Sequence, residues 1–344
     1  MNAVDELAHQ IETRQWALDR FIEESGWESA LRFPLQADAS FRRYIRLKKG
    51  KETRMLMDAP PPTEDVKPFV KIATHLNQLG FSAPKILAQD LDRGFLMLED
   101  FGDATFTQLL NQGMGESVLY EAAVDALAKL HEHSNNAEVD IPSYDSQALL
   151  DEVDLFIDWY WPEVMGAPIT DTKRDEFHLA WEAIFEQQPA LSPCIVLRDF
   201  HVDNIMLLPN RTNPENCGLL DFQDALIGSP AYDVTSLLED ARRDISDEFR
   251  LSMLERYFDA RPSLDPEEFM LSYRILSAQR HMKIVGIFTR LARRDGKQHY
   301  LKHMNRVMKY LHQHLQHPIF LPLETWLKRN MPQYETIPYA LSVI

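Results

Sequence analysis

Apolar positions Leu7, Ile11, Leu18, Phe21 and Ile22 recur near helical spacing and predict an amphipathic helix over 4–24. The texture then changes. Two β-rich runs, 41–47 and 53–57, flank Lys49-Gly50-Lys51 and predict a hairpin that Pro60, Pro61 and Pro62 end. Helical period resumes over 66–79 and stops at Gly80, and strands at 85–89 and 95–99 follow around Asp92-Arg93-Gly94. Beyond residue 103 the pattern is mainly helical, clearest over 105–110, 118–131, 147–160 and 177–187, with one β island at 194–198, 205–208 and 218–222. The expected fold is α+β: a small β-rich lobe on 1–103 joined to a larger, mainly helical lobe on 104–344, an architecture that makes a cleft. There is no internal repeat and no low-complexity tract.

Composition narrows the partners. The 344 residues carry a net charge of −17, which repels phosphate backbones, so nucleic acid is not an expected partner. Two cysteines, Cys194 and Cys217, cannot form a disulfide framework and point to a reducing compartment. The start MNAVDELAHQIETRQ is acidic and amphipathic, unlike a secretory signal, and no apolar run approaches the roughly 18 residues a membrane helix needs. A cytoplasmic protein without a membrane partner or an obligate protein partner is expected. With 12 glycines, any glycine-dependent phosphate loop must be sparing or absent.

The chemistry concentrates in the island, where LRDFHVDNIMLL is followed by GLLDFQDALIG. Asp199 and Asn204 stand five apart, and Asp221 comes seventeen residues after Asn204. Phosphoryl transfer from a magnesium nucleotide needs a carboxylate to take the proton of the attacking hydroxyl, and an amide oxygen and a second carboxylate on the metal. Asp199, Asn204 and Asp221 supply those groups in that order, between apolar runs that would hold them rigidly. Singly, each residue is an ordinary loop former.

RDFHVDN at 198–204, LDFQDALIGSPAYDV at 220–234 and LMLEDFGD at 96–103 resemble the aminoglycoside phosphotransferase and choline kinase superfamily, over nearly the whole chain. The resemblance implies a protein-kinase-like two-lobed fold, ATP and Mg2+ as cofactors, and Asp199 as catalytic base. Asn204 and Asp221 become the metal ligands, and 98–101, with Glu99 and Phe101, the adenine-contacting hinge. Asp233 corresponds to a structural carboxylate. A narrower resemblance, through ADASFRRYIRL at 37–47, MDAPP at 57–61, RLARRDGK at 290–297 and RVMKYL at 306–311, is to the branch that phosphorylates N-acetylmuramate and N-acetylglucosamine at the anomeric hydroxyl in cell-wall recycling. It implies a small-molecule amino sugar as acceptor and its α-1-phosphate as product. Other acceptors of the superfamily type (an aminoglycoside, choline or homoserine) and a non-catalytic nucleotide-binding scaffold are the alternatives.

The chain departs from that superfamily at two points. The strand that usually carries a phosphate-contacting lysine reads RMLMDA, and Asp58 at its end has the wrong sign. Arg43 or Arg46 on the preceding strand is the expected substitute, since an arginine fork can bridge two phosphate oxygens. The covering loop lacks glycine, so backbone groups around Ala39 and Ser40 would face the phosphates.

For the acceptor, 144–164 is the expected segment. Asp151, Asp154 or Leu155, and Asp158 share a helical face, with Glu152 beside them and Trp159, Tyr160 and Trp161 following. Carboxylates for sugar hydroxyls and rings for apolar sugar faces suit a carbohydrate; a solvated acidic face backed by core aromatics is the plain reading. Asp224 joins Asp151, Glu152, Asp158 and Trp159 as an acceptor-binding candidate. The stretch 280–309 sets nine cations against one acid, Asp295, which suits either structural pairing or a carboxylate-bearing acceptor. His201 is expected to support its loop, and the run His312, His314, His317 resembles a metal cluster only on paper.

Overall fold

The computed structural model describes residues 3–35, 41–133, 135–332 and 334, with 3–12 as backbone only. In chain order the elements are α1 (Ala3–Glu24), β1 (Leu31–Pro34), β2 (Arg43–Lys49), β3 (Glu52–Asp58), α2 (Lys67–Gln78), β4 (Ile86–Asp90), β5 (Phe95–Glu99), α3 (Phe106–Asn111), α4 (Glu116–Glu132) and α5 (Ser146–Leu155). A π-helical turn (Phe156–Tyr160) leads into α6 (Trp161–Met165) and α7 (Asp171–Phe185). Then come β6 (Cys194–Val196), β7 (Ile205–Leu207), β8 (Cys217–Leu219), β9 (Leu226–Gly228), α8 (Ala231–Leu238), α9 (Asp247–Ala260) and α10 (Pro266–Arg293). A 3-10 segment (Gln298–His303), α11 (Met304–Leu315), a 3-10 turn (Pro318–Phe320) and α12 (Leu321–Asn330) close the chain. The class is α+β, and the chain divides into two compact units, 1–114 with 203–224, and 115–202 with 225–344. The division is discontinuous, where the sequence reading sets one boundary at 103/104.

The first unit is built on a five-stranded antiparallel sheet in the order β1-β2-β3-β5-β4. Gly50, at a left-handed φ of 63°, turns the β2–β3 hairpin, whose register pairs Arg43 with Asp58 and Lys49 with Glu52. One face carries Leu47, Leu56, Phe95 and Met97 against Leu18, Phe21 and Ile22 of α1, so the helix period and the strand period meet in a single core. Edge strand β1 escapes sequence reading because all four of its residues are exposed and no apolar alternation marks it. Gly94 has no substitute: a Cβ there would lie 2.0 Å from the Ala59 carbonyl oxygen, and φ is 70°.

The returning segment 203–224 is tied to this unit by backbone. Leu207 donates to the Ala104 carbonyl at 2.9 Å and Leu219 to that of Ser82 at 2.7 Å, while the Ser82 hydroxyl donates to the Glu215 carbonyl at 2.7 Å. The island is therefore two separate ladders, β7 with β8 and β6 with β9, and not one sheet. Strand β9 is as short as β6, β7 and β8 but only half-buried where they are largely buried, and the sequence reading does not mark it.

The second unit is helical around α10, whose Asp265 N-cap accepts from Glu267 and Glu268 before Pro266 opens the first turn. Helical period was expected to run unbroken over 147–160, but α5 ends at Leu155 and a π turn follows. Gly286 of α10 lies against that junction so closely that a Cβ would stand 2.3 Å from the Leu155 carbonyl carbon and oxygen. The basic stretch 280–309 is likewise broken, by the segment 294–297 between α10 and the 3-10 helix. Among the described residues no helix is long and apolar enough to cross a membrane.

Candidate active site

In the second unit, buried strand β6 delivers residues 197–202 as a tight loop. Fully buried Asp233 on α8 accepts the N–H groups of Leu197 at 2.7 Å and Arg198 at 2.8 Å. This is the structural role the sequence assigns to it. Arg198 adopts a left-handed φ of 69°, which an arginine keeps only where its surroundings over-determine it. Asp199 follows with its side chain 44% exposed. Enclosure by the loop raises its carboxyl, but Arg280, Lys283 and Arg198 outweigh that and hold it well below the usual carboxylate range. His201 is buried and accepts from Arg242 at 3.3 Å; burial first, then the Arg242 charge, pushes its ring well below the ordinary histidine range, so it stays neutral. Loop support, as expected, is what this environment suits.

In the first unit, Asn204 and Asp221 are neighbours at one end of the β7–β8 ladder. Ile205 pairs with Leu219, and the Leu220 N–H donates to the Asn204 carbonyl at 2.9 Å. Asp221 is the second residue with left-handed backbone, at φ 57°, a conformation aspartate tolerates better than most. Among the described residues, the two non-glycine residues in that region thus fall in the two loops singled out by sequence. The Asn204 amide and the Asp221 carboxylate are hard oxygen donors of the kind Mg2+ takes, so the chain's own groups fit the expected metal.

The expected phosphate cations, Arg43 and Arg46, are each engaged with carboxylates. Arg43 pairs with Asp58, which is fully buried and also takes Nε of Arg14 at 3.0 Å. Arg46 grips the segment after β5: Nη1 lies 2.8 Å from Asp103, Nη2 donates to Asp100 at 3.0 Å and to the Gly102 carbonyl at 2.9 Å. Within this segment Glu99 pairs with Arg211, whose guanidinium also sits 5.5 Å over the Phe101 ring. Gly218 leaves room for Phe101, since a Cβ there would come within 2.9 Å of the ring. Ser40 lies outside the described residues. The basic residue that sequence reasoning passed over is Arg42, 3.5 Å from Asp221 and 3.6 Å from Glu64. The signal was present in the doubled Arg42-Arg43, but strand alternation alone could not say which arginine faces the loop.

The acceptor candidates separate. Of the expected stripe of carboxylates, Asp154 on α5 and Asp158 in the π turn share one partner, Arg174. Asp151 is exposed and accepts from Gln147 at 2.8 Å, and Asp158 pairs with Arg174 at 2.5 Å. Trp159 is half-buried in the π turn, and Asp224 is exposed and accepts from Gln223 at 3.0 Å. Glu152 turns inward, taking Lys283 at 2.7 Å and Gln279 at 3.1 Å, besides Arg198 and the Tyr144 hydroxyl. Burial raises this carboxyl, and Lys283 and Arg198 then bring it down to about 2. From the basic stretch, Arg280 and Lys283 join this cluster, whereas Arg293 and Arg306 pair with Glu163 and Asp244. His314 is not grouped with His312 and His317; it faces Glu239 at 2.8 Å, with His281 nearby.

A sheet-bearing unit, a helical unit and two rigid acidic loops define a phosphotransferase of the kinase type. The chain belongs to the phosphotransferase enzyme family, whose pattern matches residues 33–266. It is 33% identical to the N-acetylmuramate/N-acetylglucosamine kinase of Caulobacter vibrioides, across 93% of this chain and 97% of that protein. With the Pseudomonas aeruginosa kinase of the same name it shares 39% identity, across 81% of this chain and 82% of that protein. In fold it resembles a choline/ethanolamine kinase family protein from Mesorhizobium loti, with a TM-score of 0.60 at 13% identity, over 93% of this chain and 99% of that one.

Proposed function

We propose that this chain is an ATP-dependent kinase that phosphorylates the anomeric hydroxyl of N-acetylmuramate and N-acetylglucosamine, giving the α-1-phosphate in peptidoglycan recycling. The observation that carries this reading is its identity with two amino-sugar kinases over four fifths of the chain or more. In this reading Asp199 orients the hydroxyl and takes its proton as the acceptor oxygen bonds to the γ-phosphorus and ADP leaves. An anomeric hydroxyl is more acidic than an ordinary alcohol, which suits a carboxylate held strongly ionised by Arg280 and Lys283. Asn204 and Asp221 hold Mg2+, which would offset charge on the transferred group. Residues 98–101 receive the adenine, and Asp151, Asp158, Trp159 and Asp224 remain the acceptor-binding candidates. Glu152 serves the same site by fixing Arg198 and Lys283. Cys194 and Cys217, both buried and in no disulfide, suit a cytoplasmic location.

Buried Arg280 and Lys283 beside Asp199 weigh against a polycationic acceptor such as an aminoglycoside. The test is ADP release with a panel of both amino sugars, an aminoglycoside, choline and homoserine. Turnover confined to the amino sugars, lost by orders of magnitude in Asp199→Ala with ATP binding kept, is expected. Turnover of another acceptor alone overturns the reading, and near-normal Asp199→Ala turnover overturns the assignment of the base.

A further inference from the structure

We infer that Arg42 is the side chain that contacts the nucleotide's phosphates in this kinase, with Glu64 as the residue that positions it; the inference rests on the reading above. Magnesium leaves a bound triphosphate with excess negative charge, so a side-chain cation close to the metal ligands is required. Around those ligands the other arginines are committed. Arg14 and Arg43 neutralise buried Asp58, Arg46 is spread over Asp100, Asp103 and the Gly102 carbonyl, and Arg211 is on Glu99.

Arg42 differs from all of them. Its guanidinium lies between two carboxylates without closing on either, Nη2 at 3.5 Å from Asp221 and Nε at 3.6 Å from Glu64. Nε is buried and has no hydrogen-bond partner, an arrangement that costs free energy until an acceptor arrives. The side chain is only 13% exposed, so it is held in place rather than solvated. It immediately precedes Arg43, whose register partner Asp58 ends β3, so its backbone is fixed by the sheet. Glu64 also accepts the Phe41 N–H at 3.1 Å, clamping the chain on the other side of the arginine. An arginine so placed can turn one fork toward phosphate oxygens while Glu64 keeps the other in place.

The test uses the full chain and calorimetric affinities for ATP and for adenosine, with and without Mg2+. Arg42→Ala should lower the ATP-to-adenosine affinity ratio roughly 10- to 100-fold, the range for a lost charge-assisted contact, with adenosine binding unchanged. Arg42→Lys should recover part of the loss, and Glu64→Gln should give a smaller loss of the same kind. A direct phosphate contact keeps the deficit when the metal is removed. An unchanged ratio in both Arg42→Ala and Glu64→Gln, or a deficit that disappears without Mg2+, overturns the inference. Should Arg42→Ala fail to fold, the Glu64→Gln ratio decides by itself. A wild-type chain that binds no ATP would instead sink the kinase reading.

Discussion

Arg280 donates from Nη1 to the carbonyl of Arg198 at 2.8 Å, closing one side of a left-handed residue whose N–H is already held by Asp233. The same guanidinium stands 3.4 Å from the Asp199 carboxylate. One buried side chain thus fixes the backbone before the proposed base and the charge on it.

Replacing Arg280 with Met is therefore expected to act on kcat more than on ATP affinity. Without the cation the Asp199 carboxyl rises toward its ordinary range, so a larger fraction is protonated at any acidic pH and the acid limb of kcat moves to higher pH. A kcat loss of roughly 10- to 100-fold is expected at neutral pH from lost positioning of the Asp199 loop, which Arg280 holds through the Arg198 carbonyl. A kcat profile over pH for Arg280→Met and Arg280→Lys checks this; a uniform fall with an unmoved limb would leave Arg280 a purely structural role.

Much of this was legible in the sequence because it lies in short, rigid motifs. The loops bearing Asp199, Asn204 and Asp221 are bracketed by apolar strands, and the structure sets Asn204 and Asp221 side by side on one ladder. What was not legible depends on register and on long-range charge. Glu152 shares an acidic helical segment with Asp151, yet Lys283, more than a hundred residues away, and Arg198 turn it inward. Likewise Arg43 and Arg46 on β2 and Arg42 just before it carry the same charge, and only the pairing of Arg43 with Asp58 fixes which is left near Asp221.

Gly286→Ala is expected to destabilise the second unit. The new methyl would meet the backbone of Leu155 at 2.3 Å and of Phe156 at 2.6 Å, where no flexible side chain can yield. Forcing α10 from the π turn should cost about 3 kcal/mol, the upper part of the overpacking range, read as a lower urea midpoint. A variant as stable as wild type would mean that the π turn is free to move.

Glu152 ties stability to acid. Its carboxyl is lowered from 4.5 to about 2 in the fold, so its contribution is complete above the ordinary value and is lost as pH falls from about 4.5 toward 2. The depressed value corresponds to about 3 kcal/mol on an order-of-magnitude scale. Glu152→Gln leaves Arg198 and Lys283 uncompensated, so it should be less stable at neutral pH and lose less on acidification. Urea melts of both proteins between pH 7 and pH 3 give the comparison, and parallel pH dependences would count against the assigned cause.

Asp203 and Asp221 are both loop carboxylates of the first unit, but the structure gives them different work. Asp203 takes the hydroxyl of Thr107 on α3, a bond between two segments of the unit, so Asp203→Asn should lower the thermal midpoint. Asp221 combines a left-handed backbone, a 47% exposed side chain and a position next to Asn204, which favours a ligand over a brace. Asp221→Asn removes a charged oxygen from the proposed metal pair and should weaken Mn2+ binding roughly tenfold or more, measured by electron paramagnetic resonance with ATP present. Its thermal midpoint should change little, because Arg42, 3.5 Å away, keeps Glu64 as a counter-charge. A variant that retains Mn2+ affinity would move the metal away from the β7–β8 ladder and strip Asp221 of its proposed role.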